Sequence, residues 1–357
     1  MDSPVERLHR HLSLYYDDRD WPALQEQART WARTRPLEGL RILDATPVYR
    51  NTLAKYMPLL AAGARLSVPE RSALPSDGKI RGMLPEFGIA AAEKGKDEFD
   101  IILDCAGMCH SLHPTLGAVE LTRTGAYRYE RPSTPVYLAD AGRIKKIETV
   151  LGTGESFFRA LRQAGFGEWS GRRLMVIGYG KVGRGIVLFA LKHGMRVSVA
   201  DVADKSNETP PGVEFLHLGE KKGAGGENER VTHAVCSSWC AVTATGRFHA
   251  MRNRLDAGAV CRSSVLLANM GVDDEWGPDY PAERILNGKR PFNFILEEPT
   301  AMRYIETTLA LHNAGALELL TEDLPRALIV PSPDVEERLL AVTRASGRLS
   351  EELKMIE

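Results

Sequence analysis

An α/β protein of two domains, each built on a parallel sheet, is what this sequence predicts. Three observations carry that prediction. Short apolar runs of strand length alternate with helical stretches through the first 140 residues. The alternation restarts at Arg173 and continues to about Phe294. The chain has 357 residues, and a domain takes roughly 150.

Residues 3–34 place Leu8, Leu12, Tyr15, Trp21, Leu24 and Trp31 at near-helical spacing and read as helix. Leu40–Leu43 is an apolar strand run. A helical stretch from Asn51 to Ala62 follows, then a second run, Ala64–Val68. Asp100–Asp104 is a further buried-strand segment. From Lys145 to Ala164 the pattern is helical again, with Ile147, Val150, Leu151, Phe157, Phe158 and Leu161. Gly152 and Gly154 each weaken that helix by about 1 kcal/mol relative to alanine, which argues for close packing or a hinge. Lys221–Glu229 reads as a mobile surface loop. A helix follows Pro299 to about Leu320, and a last charged helix spans Pro333–Ile356.

Composition narrows the function classes. The chain is 43% hydrophobic and 26% charged, enough apolar material for real cores. Lys and Arg number 46 against 47 Asp and Glu, a balance that argues against a nucleic-acid partner. No apolar run reaches the roughly 18 residues of a membrane span. The amino terminus lacks a secretory apolar segment, and five cysteines suit a reducing compartment. A cytoplasmic protein acting on a small molecule is expected, with no membrane partner.

The strongest motif is Leu174-Met-Val-Ile-Gly178-Tyr-Gly180-Lys181-Val182-Gly183-Arg-Gly185. A strand runs into a glycine turn and then a helix, and a second strand, Arg196–Ala200, ends at Asp201. In such a G-x-G-x-x-G turn the first glycine permits the bend and the second lets a pyrophosphate approach. The third lets helix and strand pack closely. The helix start at Gly180–Val182 offers N–H donors and partial positive charge to phosphates. Asp201 follows Gly178 by 23 positions, where an acid accepts from the adenosine ribose hydroxyls. A carboxylate there repels a 2′-phosphate and favours NAD over NADP, while Arg196 and Lys205 keep NADP open. The expected architecture is therefore α/β, with two Rossmann-like domains on parallel sheets, an interdomain cleft and C-terminal helices. Its divisions are a substrate-side domain over 1–150, an NAD-binding domain over 151–300, and helices over 301–357 returning to the first domain.

With these motifs in view, the chain resembles the S-adenosylhomocysteine hydrolase family. Gly178-Tyr-Gly-Lys-Val-Gly-Arg-Gly185 is similar to that family's GYGxVGxG turn, and Leu151-Gly-Thr-Gly-Glu-Ser156 to its YGCRES stretch. Glu120-Leu-Thr-Arg-Thr-Gly125 resembles EETTTG, Asp104-Cys-Ala-Gly107 resembles DDGG, and Asn269-Met-Gly271 resembles the NIG strand end. The resemblance implies tightly held NAD, oxidation of a ribose 3′-hydroxyl, elimination of a thiol, hydration and re-reduction. It implies cofactor contacts from Thr122, Thr124 and Asn269, and a homo-oligomer, dimer or tetramer. The ionisable groups of that chemistry are replaced, however. Cys105, Leu121, Ile144, Glu148, Thr153 and Val272 stand where the family has aspartate, glutamate, lysine, aspartate, cysteine and histidine.

Glu120, Lys145 and Asp273 adjoin replaced positions and are candidate catalytic residues, together with Glu148 and His312. A lysine such as Lys145 polarises a carbonyl, or takes an alcohol proton if burial lowers its pKa, and a solvated charge pair with Glu148 is the competing reading. His312 lies beside Asn313 on an apolar helix, where a core histidine is the competing reading. Asp273 and Asp274 read either as general bases or as a polar helix start. Thr46, Asp104 and Cys105 are the candidate substrate contacts, Cys105 because open α/β sheets place ligands at strand ends. Cys105 with Cys109 and Cys236 with Cys240, near His110 and His113, have spacings compatible with a zinc site. Buried free thiols are the preferred reading, and no metal is expected. Arg123, Arg128, Arg131 and Arg143 either clamp an anion or face solvent. The expected activity is NAD-dependent hydride transfer with a small polar secondary alcohol, amine or imine. Hydrolysis of a thioether nucleoside and non-catalytic NAD-binding regulation are the alternatives.

Overall fold

The computed structural model describes residues 2–72, 74–92, 98–219 and 226–356. They divide into two compact units, Met1–Glu148 with Ala301–Glu357, and Thr149–Thr300.

In the first unit, seven parallel strands appear among the described residues. They are β1 (Arg41–Asp44), β2 (Arg65–Val68), β3 (Ala90–Ala91), β4 (Ile101–Asp104), β5 (Gly117–Glu120), β6 (Val136–Leu138) and a late strand, Leu328–Ile329. Their order is β3-β2-β1-β4-β5-β6 and then the late strand, so the direction of winding reverses between β1 and β4. β4 and β5 are buried along their whole length, as expected for parallel strands covered on both faces. Helices Pro22–Thr34, Arg50–Ala61 and Met302–Glu318 pack around Trp21, Leu24, Tyr56 and Leu309.

The helix expected over 3–34 is two, Pro4–Leu12 and Pro22–Thr34, with a 3-10 turn at Asp18–Asp20 between them. The Asp17 side chain accepts from the Arg19 N–H at 3.0 Å, and Pro22 has no N–H to continue a helix through it. The expected terminal helix is likewise broken, into Pro333–Ser346 and Ser350–Leu353. At the break, a Cβ on Gly347 would lie 2.5 Å from the Thr343 carbonyl oxygen.

The second unit is a five-stranded parallel sheet: β7 (Arg173–Ile177), β8 (Arg196–Asp201), β9 (Glu214–His217), β10 (Cys240–Thr243) and β11 (Leu266–Asn269). Its order, β9-β8-β7-β10-β11, puts the switch between β7 and β10. The segment Ile147–Gly152 is π-helical and leads into helix Thr153–Gln163. Its glycines serve close packing. A Cβ on Gly154 would sit 2.5 Å from the Gly185 backbone, and one on Gly185 would sit 1.9 Å from the Val150 carbonyl oxygen. Of the expected 221–229 loop, Glu227–Glu229 begin a helix that runs to Cys236, and 221–225 lie outside the described residues. No helix among the described residues is long and apolar enough to cross a membrane.

Candidate functional site

In the second unit the glycine turn leaves β7 at the switch point. Gly178 has φ +97°, and a Cβ there would meet the Ala244 carbonyl oxygen at 2.5 Å, so the bend and the neighbouring strand end both exclude a side chain. Gly183 lies under the turn, and its Cβ would fall 1.9 Å from the Gly178 oxygen. Gly180 differs: among the described residues, a Cβ there meets no atom within 4 Å. The space in front of Gly180 is open, and it caps the twelve-residue helix Lys181–Lys192, whose first turn holds Lys181 and Val182.

A cavity of about 260 Å³ opens here, lined by Gly178, Gly180, Asp201, Lys205, Arg247 and Arg254 among others. Asp201 Oδ2 accepts from the Tyr179 N–H at 2.7 Å and from Lys205 Nζ at 2.9 Å, and Oδ1 accepts from the Ala203 N–H at 3.0 Å. Burial opposes ionisation of Asp201, but the Ala203 and Tyr179 donors and the Lys205 ammonium outweigh it and hold the carboxyl below its ordinary value. Arg196 stands at the opposite end of β8, roughly 16 Å along the strand, and donates to the Gly171 carbonyl at 3.1 Å. It therefore has no part in the cavity.

The far wall is pinned by a residue that the sequence did not single out. Glu275 is buried, and its carboxylate accepts the N–H groups of Thr245 at 2.8 Å and Gly246 at 2.7 Å. Gly271 makes room for it, since a Cβ there would lie 2.1 Å from Glu275 Oε1. A buried acid a few residues beyond the NMG turn was the available signal. Asn269 is also placed differently from expectation. Its two Nδ2 hydrogens are shared among the carbonyls of Gly271, Asp273 and Lys289 at 3.2, 2.8 and 2.6 Å, while Oδ1 accepts from Gly271 N–H and Thr243 Oγ1, both at 3.1 Å. The amide is fully engaged in shaping the loop rather than presented to a ligand. Asp273 is exposed, and Asp274 pairs with Lys289 at 3.1 Å.

In the first unit, β1, β4 and β5 end at Asp44, Asp104 and Glu120. The structure gathers Thr46, Asp104, Cys105, Glu120, Lys145, Glu148 and His312 around these ends. Cys105 feels Glu120, Lys145, Asp104 and Glu148, and His312 feels Lys55 and Lys145.

Asp104, expected at a substrate, holds its own loop instead. It accepts the N–H groups of Cys105 at 2.8 Å and Cys109 at 3.0 Å, and the Tyr129 hydroxyl at 2.6 Å. Glu120 accepts from Ala106, Gly107 and Thr122 N–H groups at 3.1, 2.9 and 2.7 Å. Burial, reinforced by Asp104, pushes its carboxyl up to about 7. The Thr122 hydroxyl donates to Glu120 at 2.7 Å and accepts from Gly125 N–H at 3.0 Å, whereas Thr124 is exposed.

Lys145 is buried and 2.8 Å from Glu148. Burial pulls its pKa down, but Glu148 beside it prevails and holds it above the ordinary value. It therefore remains an ammonium and a donor, which goes against the base role and leaves the carbonyl-polarising one. His312 Nε2 lies 2.9 Å from the Val119 carbonyl, so this nitrogen carries the proton and Nδ1 keeps the lone pair. Among the described residues, that Nδ1 and the Thr46 hydroxyl are buried with no hydrogen-bond partner. Burial, with Lys55 adding to it, drives the His312 pKa well down and keeps the ring neutral.

A second feature went unread in the sequence: Lys55 and Asp44, both fully buried, form an ion pair. A lone lysine in the apolar stretch Leu53–Leu60 was its signal. The Cys105 thiol is pushed up by burial and then by Glu120. Cys105 and Cys109 belong to the first unit, Cys236 and Cys240 to the second. Among the described residues no three His, Cys, Asp or Glu side chains gather as metal ligands. Arg143 pairs with Glu337 at 3.3 Å, and the Arg123 guanidinium lies 5.5 Å from the centre of the Tyr127 ring.

No protein-family model matches the chain. An adenosylhomocysteinase of Sulfurisphaera tokodaii is 28% identical over 211 residues, 51% of each chain. One of Pyrococcus abyssi is 25% identical over 298 residues, 73% of this chain and 68% of that one. An S-inosyl-L-homocysteine hydrolase of Methanopyrus kandleri is 27% identical over 212 residues, 51% of this chain and 50% of that one. The chain thus spans about half the length of most of these relatives. Among solved structures, a dipicolinate synthase component from Bacillus halodurans superimposes with a TM-score of 0.50 at 12% identity, covering 80% of this chain and 99% of that one, which shows a shared fold. The resemblance carried by the glycine turn and the Leu151–Ser156 stretch is borne out: the chain is adenosylhomocysteinase-like in sequence, on an α/β fold with two Rossmann-like parallel sheets.

Proposed function

We propose that this chain is an NAD-dependent oxidoreductase that transfers a hydride to or from a small polar secondary alcohol, amine or imine. The observation that carries the reading is the cavity bracketed by Gly178, Gly180 and Asp201 at the switch point of the second sheet. It fits NAD in kind: open space before Gly180 and the start of the helix Lys181–Lys192 suit a pyrophosphate, and Asp201 suits ribose hydroxyls. The relatives' names add weight, since adenosylhomocysteinases are the family whose tightly held NAD the sequence resemblance implied. When bound, NAD supplies the hydride acceptor, and the protein supplies binding, orientation and proton handling.

Those last roles fall to the first unit. The neutral His312 presents Nδ1 as a proton acceptor, its tautomer fixed by Val119. The Lys145 ammonium, held charged by Glu148, is the donor that orients a substrate oxygen or nitrogen. Thr46 offers an unengaged hydroxyl. Glu120 and Asp104 are assigned to shaping the Cys105–Cys109 turn. The same reading takes the protein as a cytoplasmic homo-oligomer, dimer or tetramer.

The hydrolase names of the relatives favour one second reading, cleavage of a thioether nucleoside. Leu121, Ile144 and Val272, which have no titratable proton, weigh against it. Full-length protein given NAD and a panel of secondary alcohols and amines should develop reduced-nicotinamide absorbance without releasing thiol from adenosylhomocysteine. Thiol release with no net reduction would favour the hydrolase reading instead.

A further inference from the structure

The cavity beside Asp201 holds three cations, Lys205, Arg247 and Arg254, for one carboxylate. That carboxylate is already paired with Lys205 at 2.9 Å and takes two backbone N–H groups. A strand-end acid excludes a 2′-phosphate through repulsion, and here Lys205 offsets the repelling charge.

The two arginines also have firm footings. Arg247 follows the Thr245–Gly246 turn that the Glu275 carboxylate holds by two hydrogen bonds. Arg254 follows Met251, whose N–H donates to the Glu275 carbonyl at 2.9 Å, and the Arg254 N–H donates to Met251 at 3.2 Å. One buried residue thus sets the backbone beneath both guanidiniums. A phosphate monoester carries close to two negative charges at neutral pH, and guanidinium forks match its oxygens in geometry.

We infer that this cavity accepts a 2′-phosphorylated dinucleotide, so that NADP binds alongside NAD, with Arg247 and Arg254 as the phosphate ligands. The inference rests on reading the cavity as a dinucleotide site. The test is calorimetric titration of the full chain with NAD and, separately, with NADP, repeated on Arg247→Ala and Arg254→Ala. The expected result is an NADP affinity within about tenfold of that for NAD. Each substitution should weaken NADP at least about tenfold more than NAD, the scale of one charge-assisted contact. NADP binding more than about tenfold weaker than NAD to the wild-type chain overturns this inference and leaves the dinucleotide reading standing. Equal losses for both nucleotides in the variants overturn the assignment to the arginines. Failure to bind either nucleotide overturns both readings together.

Discussion

Asp201 Oδ2 stands 2.7 Å from the backbone nitrogen of Tyr179, so the acid at the end of one strand fixes the glycine turn at the end of the next. The same carboxylate anchors Lys205 and Ala203. On the proposed reading, Asp201→Ala removes ribose recognition as well as the brace on the turn. It should weaken NAD about 10- to 100-fold, the range for losing a charge-assisted contact. Equilibrium titration measures this, and an affinity unchanged within about twofold would contradict the role of Asp201.

Glu275 braces the opposite wall, and its prediction concerns stability first. Glu275→Ala leaves the Thr245 and Gly246 N–H groups without their acceptor. At about 1–3 kcal/mol for each orphaned buried donor, and less for these part-buried ones, a loss of about 2–4 kcal/mol is expected. Glu275→Gln retains an acceptor and should recover part of it. Urea denaturation of the two variants should separate them, and equal stabilities would remove the case for a brace.

Glu306 gives the molecule a signature in pH. It is buried and accepts from the N–H groups of Ala23 at 3.1 Å and Leu24 at 3.2 Å, capping a helix that has no side-chain cap of its own. Burial pushes its carboxyl up to about 7, against the pull of Thr307 and the Leu24 and Ala23 donors. A raised acid pKa means the folded chain keeps a proton that the unfolded chain releases from about pH 4.5 upward. Its contribution to stability therefore falls as pH rises from about 4.5 to about 7. Glu306→Gln should flatten that part of the profile and add on the order of 2 kcal/mol at about pH 8. Glu120 titrates in the same window, so the diagnostic quantity is the variant-minus-wild-type difference at about pH 5 and pH 8. A difference independent of pH would contradict the account.

The thiols should react in an order set by burial. Cys105, Cys109 and Cys240 are buried with raised pKa values, while Cys236 and Cys261 are half-buried. Because the thiolate is the reactive form, iodoacetamide under native conditions should label Cys236 and Cys261 first. Early labelling of Cys105, read by mass spectrometry, would mean that its end of the sheet opens to solvent.

Much of this was legible in the sequence, for identifiable reasons. The glycine turn, Asp201 and strands β1, β2, β4, β7 and β8 are local features, set by short-range sterics and continuous apolar runs. The late strand Leu328–Ile329 is two residues long and forms only because β6 offers an edge, so nothing local announces it. The same holds for Glu275, Glu306 and the Lys55–Asp44 pair, whose partners lie 11 to 283 positions away. Asn269 and Asp104 show the converse. The motif placed them correctly at strand ends, but the sequence could not show that their own loops would claim their hydrogen bonds.

Absent acids and bases also predict an absent activity. Leu121, Ile144 and Val272 cannot move protons, and losing one general acid or base costs about 10²–10⁴-fold in rate. Full-length protein with NAD and adenosylhomocysteine should release no thiol above an enzyme-free control. Turnover near one per second, an ordinary enzyme rate, would reinstate the hydrolase reading.

The central claim is that a dinucleotide lies against the glycine turn, and Gly180 tests it most directly. Its φ of −83° suits any residue, and a Cβ there touches nothing, so Gly180→Val should fold as the wild type does while filling the space kept for the pyrophosphate. Calorimetric titration with NAD should show one site per chain in the wild type and no measurable binding in Gly180→Val, with both proteins melting at the same temperature. Undiminished NAD binding by a folded Gly180→Val, or no binding by the wild type, would contradict the claim.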